Sequence, residues 1–315
     1  MTTAGTAAPP FDFFDLRVAR VRRLGPSLVR VTFAGAGDED LSRFASGGRD
    51  QSLSLFLPQP GRPEPVLPPV VDGDLYGALG AWRAMPEDVR AVMRSYTVRE
   101  QRRTGDGTTE VDIDFSVHED GGPACRWALG AAEGDRVAVL GPTSRDNTGV
   151  RFRPPAGTDE VLMWADETAL PAASAVLEWL PAGTRARVWL EVPHAGDRIE
   201  PRTAADATVT WLVRDEGAPG ALEAVRGAEV TGSAPYVWLA GEAGSVKALR
   251  RHFVNERGLD RRRVTFVGYW RRGLSEDALR ENPEAEPEAE PPARPEPRPA
   301  SAAGSGVRTA VPAGA

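Results

Sequence analysis

The hydrophobic period of the chain changes once, near residue 158, and that change divides the sequence in two. Before it, apolar and polar residues alternate over short runs, the pattern of strands with one buried face. Asp15-Leu-Arg-Val-Ala-Arg-Val-Arg-Arg23 is followed across a Gly-Pro-Ser turn by Leu28-Val-Arg-Val-Thr-Phe33. Further runs occupy residues 51–57, 92–99, 110–118 and 136–140, each bounded by Gly, Pro or Asp. Six short strands with turns between them predict a closed antiparallel barrel or sandwich over residues 11–155. A proline-rich excursion at residues 58–71 separates two strands, and a helical segment over residues 76–84 lies near it.

Beyond residue 158 the pattern lengthens. Glu160-Val-Leu-Met-Trp-Ala165 is a continuous apolar run, as expected of a strand covered on both faces of a parallel sheet. Thr168 is placed to cap a following helix, with Pro171 in its first turn, where no backbone donor is lost. Leu170, Ala173, Leu177 and Leu180 mark one face of that helix. Strands are predicted at residues 185–192, 207–214, 236–240 and 264–270. A helix over residues 245–256 carries Val246, Leu249, Phe253 and Val254 on one stripe and ends at Gly258, a residue suited to the left-handed closing position. This alternation predicts a doubly wound α/β domain over residues 156–280, with ligands at the carboxyl ends of its strands.

Composition narrows the function classes. The chain has 315 residues, enough for two domains, and a net charge of −7. An acidic balance argues against nucleic-acid or anionic-membrane partners. A single cysteine, Cys125, leaves no intrachain disulfide framework, and His118, His194 and His252 show no metal-ligand spacing. No apolar stretch has the length of a membrane span, and the first residues lack the basic start and apolar core of a secretion signal. A cytoplasmic monomer is the expectation. Residues 1–10 and the Pro/Glu/Ala-rich residues 281–315 offer little to bury and are expected to be disordered.

Two local motifs carry chemistry. In Arg94-Ser95-Tyr96-Thr97 the planar guanidinium suits a phosphate, the aromatic ring can lie against a flat cofactor, and the hydroxyl or its backbone N–H can bond the reactive edge of a flavin. The plainer reading is a strand with an exposed Arg and a buried Tyr. Asp112-Ile-Asp114-Phe115-Ser-Val117-His118 then runs into Gly121-Gly122-Pro123-Ala124-Cys125-Arg-Trp127: strand, glycine turn, helix start. Free N–H groups at such a helix start suit a pyrophosphate. For His118 the plainer reading is a strand-end histidine bonded to backbone. For Cys125, which has no activating partner in the sequence, it is a packed structural thiol. Asp166 and Glu167 by themselves read as acids favoured at a helix N-terminus.

A barrel followed by a nucleotide fold is the layout of the ferredoxin-reductase superfamily, and the motifs sharpen it. The chain resembles the siderophore-interacting protein family of FAD-dependent ferric-siderophore reductases through Arg94-Ser-Tyr-Thr, Asp112-Ile-Asp-Phe-Ser-Val-His, Gly122-Pro-Ala-Cys-Arg-Trp-Ala, Asp166-Glu-Thr-Ala-Leu-Pro-Ala, Ala240-Gly-Glu and Gly268-Tyr-Trp-Arg-Arg-Gly. The motifs run in the family's order over residues 11 to about 275. The resemblance implies one FAD between a flavin-binding barrel and a ferredoxin-reductase-like α/β domain. Arg94, Ser95, Tyr96 and Thr97 would take the flavin end. Asp114, Phe115, Val117 and His118, with Gly122, Pro123, Ala124 and Cys125, would take the ribityl and pyrophosphate. Asp166, Thr168 and Ala169 would lie near the adenine. No protein group is implied as catalytic beyond the flavin. NAD(P)H or a ferredoxin would be the donor, and a ferric siderophore the substrate, met by Arg271 and Arg272 with Lys247 and Arg251 as further cations; all four also read as solvated charge.

Three positions depart from the family pattern. Ser54 stands where a lysine is expected, Cys125 where Ser or Thr is usual, and Ala165 where Gly is usual. The first removes a charge from the presumed substrate face. Two alternatives therefore stay open: a diverged FAD-dependent oxidoreductase of an organic substrate in secondary metabolism, and a non-catalytic ferric-siderophore-binding protein.

Overall fold

In the first half of the chain, nine elements follow in order: β1 (Phe11–Gly25), β2 (Leu28–Gly35), β3 (Ser52–Leu57), α1 (Leu75–Ala84), β4 (Val92–Thr97), β5 (Glu100–Arg103), β6 (Thr109–Ser116), α2 (Pro123–Gly130) and β7 (Arg136–Pro142). They belong to a computed structural model that describes residues 9–281. The strands form one antiparallel sheet in the order β4-β3-β7-β1-β2-β6-β5, curled into a half-barrel. The inward residues of its alternating strands, Leu16, Val18, Val31, Phe33, Leu55, Ile113, Phe115 and Val139 among them, make the core. The outer face carries a smaller cluster, where Trp82 of α1 meets Phe56 edge-on at 5.6 Å and donates its indole N–H to the Ala91 carbonyl.

The sheet has seven strands, not the six expected, and its ladder runs from β4 at one end to β5 at the other. The run at residues 92–99 changes partner partway. Val98 N–H donates to Gln51 at the β3 side, while Arg99 N–H donates to Asp112 of β6. One apolar stretch thus crosses between the two edges and continues as a separate strand.

The second half contains β8 (Glu160–Ala165), α3 (Leu170–Trp179), β9 (Arg185–Val192), β10 (Asp206–Val213), α4 (Ala221–Arg226), β11 (Pro235–Glu242), α5 (Ala243–Arg251), β12 (Val264–Trp270) and α6 (Glu276–Glu281). Its sheet is parallel in the order β10-β9-β8-β11-β12. The continuous apolar run of β8 is explained by burial on both sides. Val161, Met163 and Ala165 pack with α3, and Leu162 and Trp164 pack with α4 and α5. The strand order reverses between β8 and β11, so the carboxyl ends of these two strands form the crevice where such sheets bind ligands.

Several local expectations are corrected. Thr168 does not cap α3. Ala169 holds the cap position without a side-chain bond, and Asp166 accepts from the Thr168 N–H, the Thr168 hydroxyl and the Ala169 N–H. Helix α3 is buried over all of Leu170–Leu177 rather than along one stripe, because Leu28 and Phe152 of the first half join the sheet in covering it. Helix α5 ends at Arg251 and continues as one π-helical turn over His252–Glu256 before Gly258, whose φ is +70°. The terminal segments expected to be disordered lie outside the described residues, except for exposed Pro9 and Pro10 and for Glu281, the last residue of α6. Among the described residues no helix is long and apolar enough to cross a membrane, and no group of three metal-ligating side chains occurs.

Candidate functional site

A cleft of about 1930 Å³ opens between the half-barrel and the carboxyl edge of the parallel sheet. Its barrel wall is made by Ser95, Tyr96 and Thr97 of β4 and by Asp114, Ser116, Val117 and His118 at the end of β6. The opposite wall carries Glu167, Thr168 and Gly268 to Arg271. The two motifs, far apart in sequence, meet because Tyr96 and Phe115 pack ring to ring, with centroids 4.5 Å apart. Burial pushes the Tyr96 phenol far above its ordinary range. The Thr97 hydroxyl sits 3.5 Å from that of Tyr269 across the domain seam.

The remaining expected residues are placed as follows. Arg94 does not line the cleft; its guanidinium is taken by Asp277 of α6, at 2.9 and 2.7 Å. Asp114 lines the cleft while Arg30 grips it at 2.6 and 2.8 Å. Phe115 points into the barrel core. Gly122, Pro123, Ala124 and Cys125 begin α2 behind the cleft wall. Cys125 is buried, and its sulfur accepts the His118 N–H and donates to the His118 carbonyl, so it closes the strand–helix turn. At Gly121 a Cβ would lie 2.1 Å from that sulfur, which is why the turn needs glycine there.

Thr168 lines the cleft, but Asp166 and Ala169 are buried beneath it. Besides its three donors at the helix start, Asp166 accepts from the Glu242 N–H at 2.8 Å and the Trp270 indole at 2.7 Å. Burial and the neighbouring Glu167 push its carboxyl upward, while these donors pull it down. Asp166 is therefore a knot between β8, β11 and β12 at the crevice.

Of the expected substrate cations, Arg271 lines the cleft. Arg272 faces a separate depression with Glu242 and Arg226, and Lys247 and Arg251 of α5 line neither. The cleft gains cations that were not anticipated: Arg151, Arg153, Arg214, Arg261, Arg262 and Arg280. The signal for the first pair is Arg151-Phe152-Arg153, in which Phe152 is fully buried and both arginines flank it on the cleft side. Among the described residues seven arginines and three carboxylates line the cleft, and Asp114, Glu167 and Glu276 are each bonded by an arginine. A chain with a net charge of −7 thus presents a cationic cavity suited to anions.

Comparison with known proteins agrees with this architecture. Residues 17–146 match the siderophore-interacting FAD-binding domain and residues 158–273 the siderophore-interacting protein domain. Ferric vibriobactin reductase ViuB of Vibrio cholerae is 32% identical over 270 residues, covering 84% of this chain and 92% of that protein. The NADPH-dependent ferric-chelate reductase of Escherichia coli is 32% identical over 262 residues, covering 82% and 92%. The crystal structure of a siderophore utilization protein from T. fusca superposes with a TM-score of 0.68 at 36% identity, covering 85% and 96%. A ferredoxin reductase of carbazole 1,9a-dioxygenase shares the fold alone, at a TM-score of 0.56 and 14% identity. Two matched domains in series and relatives 32% identical over more than four fifths of the chain place it in the siderophore-interacting protein family.

Proposed function

We propose that the protein is an FAD-dependent reductase of ferric-siderophore chelates that releases Fe(II). The observation that carries this reading is the arginine-lined cleft between half-barrel and α/β domain, with Tyr96 and Thr97 on its wall. The fit to FAD is supported on size and chemistry. Drug-sized ligands take roughly 300–1,000 Å³, so this cleft has room for a dinucleotide and a second anion beside it. Tyr96 would lie against the ring system and Thr97 would bond its edge, while Ser116 to His118 offer polar groups to the ribityl chain and Thr168 to the far end.

When bound, a flavin supplies hydride acceptance and single-electron donation. The chain's own residues bind, orient and neutralise. Siderophore oxygens hold hard Fe(III) far better than Fe(II), so one electron is enough to loosen the chelate, and no protein iron ligand is needed. Arg271, Arg151, Arg153 and Arg280 would offset the charge of an anionic chelate. The name of the Escherichia coli relative favours NADPH as donor; a ferredoxin is the second option.

The test is anaerobic reduction of ferric chelates of differing charge, with a ferrous trap and each donor in turn. Purified protein is expected to be yellow, to bleach with donor, and to regain colour as trapped Fe(II) appears. Bound FAD without chelate reduction would favour an organic substrate. A colourless protein that binds chelate but takes up no FAD would mark a binding protein.

A further inference from the structure

Asp50 is fully buried at the domain seam and belongs to no element of either sheet. It follows Arg49, and both have positive φ, +51° and +64°, a conformation that non-glycine residues hold only where their surroundings enforce it. Its carboxylate meets two side chains of the other domain. The Trp238 indole donates to Oδ2 at 3.1 Å, and the Tyr269 phenol donates to Oδ1. The Tyr269 oxygen in turn lies 3.5 Å from the Thr97 hydroxyl, and Thr97 and Tyr269 both line the cleft.

We propose that Asp50 is a positioning residue that, through Tyr269, sets whether the Thr97 hydroxyl faces the cleft as an acceptor or as a donor. The hydrogen count points this way. A phenol has one hydrogen. While Asp50 is ionised, that hydrogen goes to the carboxylate, so across the long 3.5 Å contact only Thr97 can donate, and in doing so it turns its lone pairs to the cleft. When Asp50 takes a proton from solvent on Oδ1, the carboxyl donates to the Tyr269 oxygen. The phenol hydrogen then turns to Thr97, and the Thr97 hydrogen is released toward the cleft. Trp238 keeps its bond to Oδ2 throughout.

The switch falls in an accessible range because burial pushes the Asp50 carboxyl up to about 6 against the opposing charge of Arg151. Other groups facing the wire are Arg151, whose guanidinium lies 5.9 Å from the Tyr269 ring centre, and Tyr236. Burial and Asp50 keep the Tyr269 phenol protonated, its pKa well above 10, and burial raises that of Tyr236 to about 12, so neither ionises in this range. Only the identity of the responding ligand rests on the flavin reading.

The test uses the full chain. Without ligand, the Thr97 methyl resonance (assigned by Thr97→Ser) and the Trp238 indole N–H resonance (assigned by Trp238→Phe) are followed from pH 5 to 8. Both are expected to move with one midpoint near 6. Asp50→Asn should abolish both movements. Tyr269→Phe, which keeps the packing ring, should abolish the Thr97 movement and leave that of Trp238. A Thr97 resonance that does not titrate, or titrates unchanged in Tyr269→Phe, overturns the proposal.

With added FAD, flavin fluorescence should report affinity about tenfold tighter below the midpoint, the equivalent of one pKa unit, because the oxidised ring edge offers mainly acceptors. That dependence should vanish in both variants, and its persistence in Tyr269→Phe also overturns the proposal. No FAD binding at any pH would end the flavin reading, and the wire would then be decided by the ligand-free resonances.

Discussion

Arg94 on β4 and Asp277 on α6 form a two-pronged ion pair, Nη1 and Nη2 donating to the two carboxylate oxygens at 2.9 and 2.7 Å. Glu276, one residue earlier, accepts the Ser95 N–H at 3.0 Å. Helix α6 thereby covers an edge strand whose backbone donors would otherwise be open. From its sequence motif the same guanidinium is the expected phosphate clamp, and to serve as one it would have to leave Asp277, since Arg94 does not line the cleft. Asp277→Asn is therefore expected to tighten FAD binding by about two- to fivefold, the scale of an exposed ion pair worth up to ~1 kcal/mol. Arg94→Ala should weaken it by about tenfold or more and leave the circular dichroism spectrum unchanged, since charge-assisted bonds are the stronger class. Flavin fluorescence titration checks both, and identical affinities in all three proteins would remove Arg94 from the site.

Glu178 joins the domains. Arg99 of the first donates to it at 3.0 and 2.6 Å, and Arg202 adds a bond at 2.9 Å. These arginines hold its carboxyl below the ordinary value of 4.5 despite burial. Because the folded value is depressed, the stabilisation is present above about pH 4.5 and is lost as pH falls through the folded value. Glu178→Gln should lower stability by about 1.5–3 kcal/mol at pH 7, the range for bonds to charged groups. The gap between variant and wild type should narrow as pH falls below 4.5. Thermal unfolding followed from pH 7 downward measures it, and a pH-independent gap would show that the carboxylate charge is not what binds the domains.

Gly241, at the end of β11, has a φ of +141°, and a Cβ there would lie 2.5 Å from the Asp166 carboxyl carbon. Gly241→Ala must both leave that conformation and displace a carboxylate holding five donors, so a loss of roughly 3 kcal/mol or more is expected. Asp166→Asn keeps the volume but turns an amide N–H₂ toward donors, with a cost of about 1–3 kcal/mol per unsatisfied group. Denaturant midpoints are the measurement. Near-wild-type stability in Asp166→Asn would mean that the carboxylate does not tie the three strands together.

The parts legible in the sequence are those whose cause is local. The β8 run announced burial on two faces, Gly258 announced a left-handed turn, and Cys125 without an activating partner read as packing, which its two bonds to the His118 backbone explain. What was not legible depends on distant partners. The split of one apolar run into β4 and β5 follows from hydrogen bonds to two different strands. The engagement of Arg94 by α6 needs a residue 183 positions away, and Asp50 carries no sequence mark beyond being an acid before a strand. Thr168 looked like a cap by residue type, but Asp166 had the geometry.

Ser54, where the family resemblance leads one to expect lysine, lies directly opposite Ser95 on the face that also carries Ser52 and Thr97. A cation from elsewhere reaches this patch: Arg280 of α6 is 3.5 Å from the Ser95 hydroxyl and 3.4 Å from the Met93 carbonyl. Helix α6 thus brings a guanidinium to the patch that lacks one on β3, paired there with Glu276 of the same helix. Arg280→Ala should raise KM for anionic ferric chelates by about two- to fivefold, and Ser54→Lys should lower it by a similar factor, because one partly solvated charge at this range is worth up to ~1 kcal/mol. Neutral chelates should respond to neither change, and both effects should shrink in 0.5 M salt, where screening shortens the reach of exposed charges. KM is measured for chelates of matched potential and differing charge. Equal shifts for neutral and anionic chelates would show that these positions alter the cleft by packing rather than by charge.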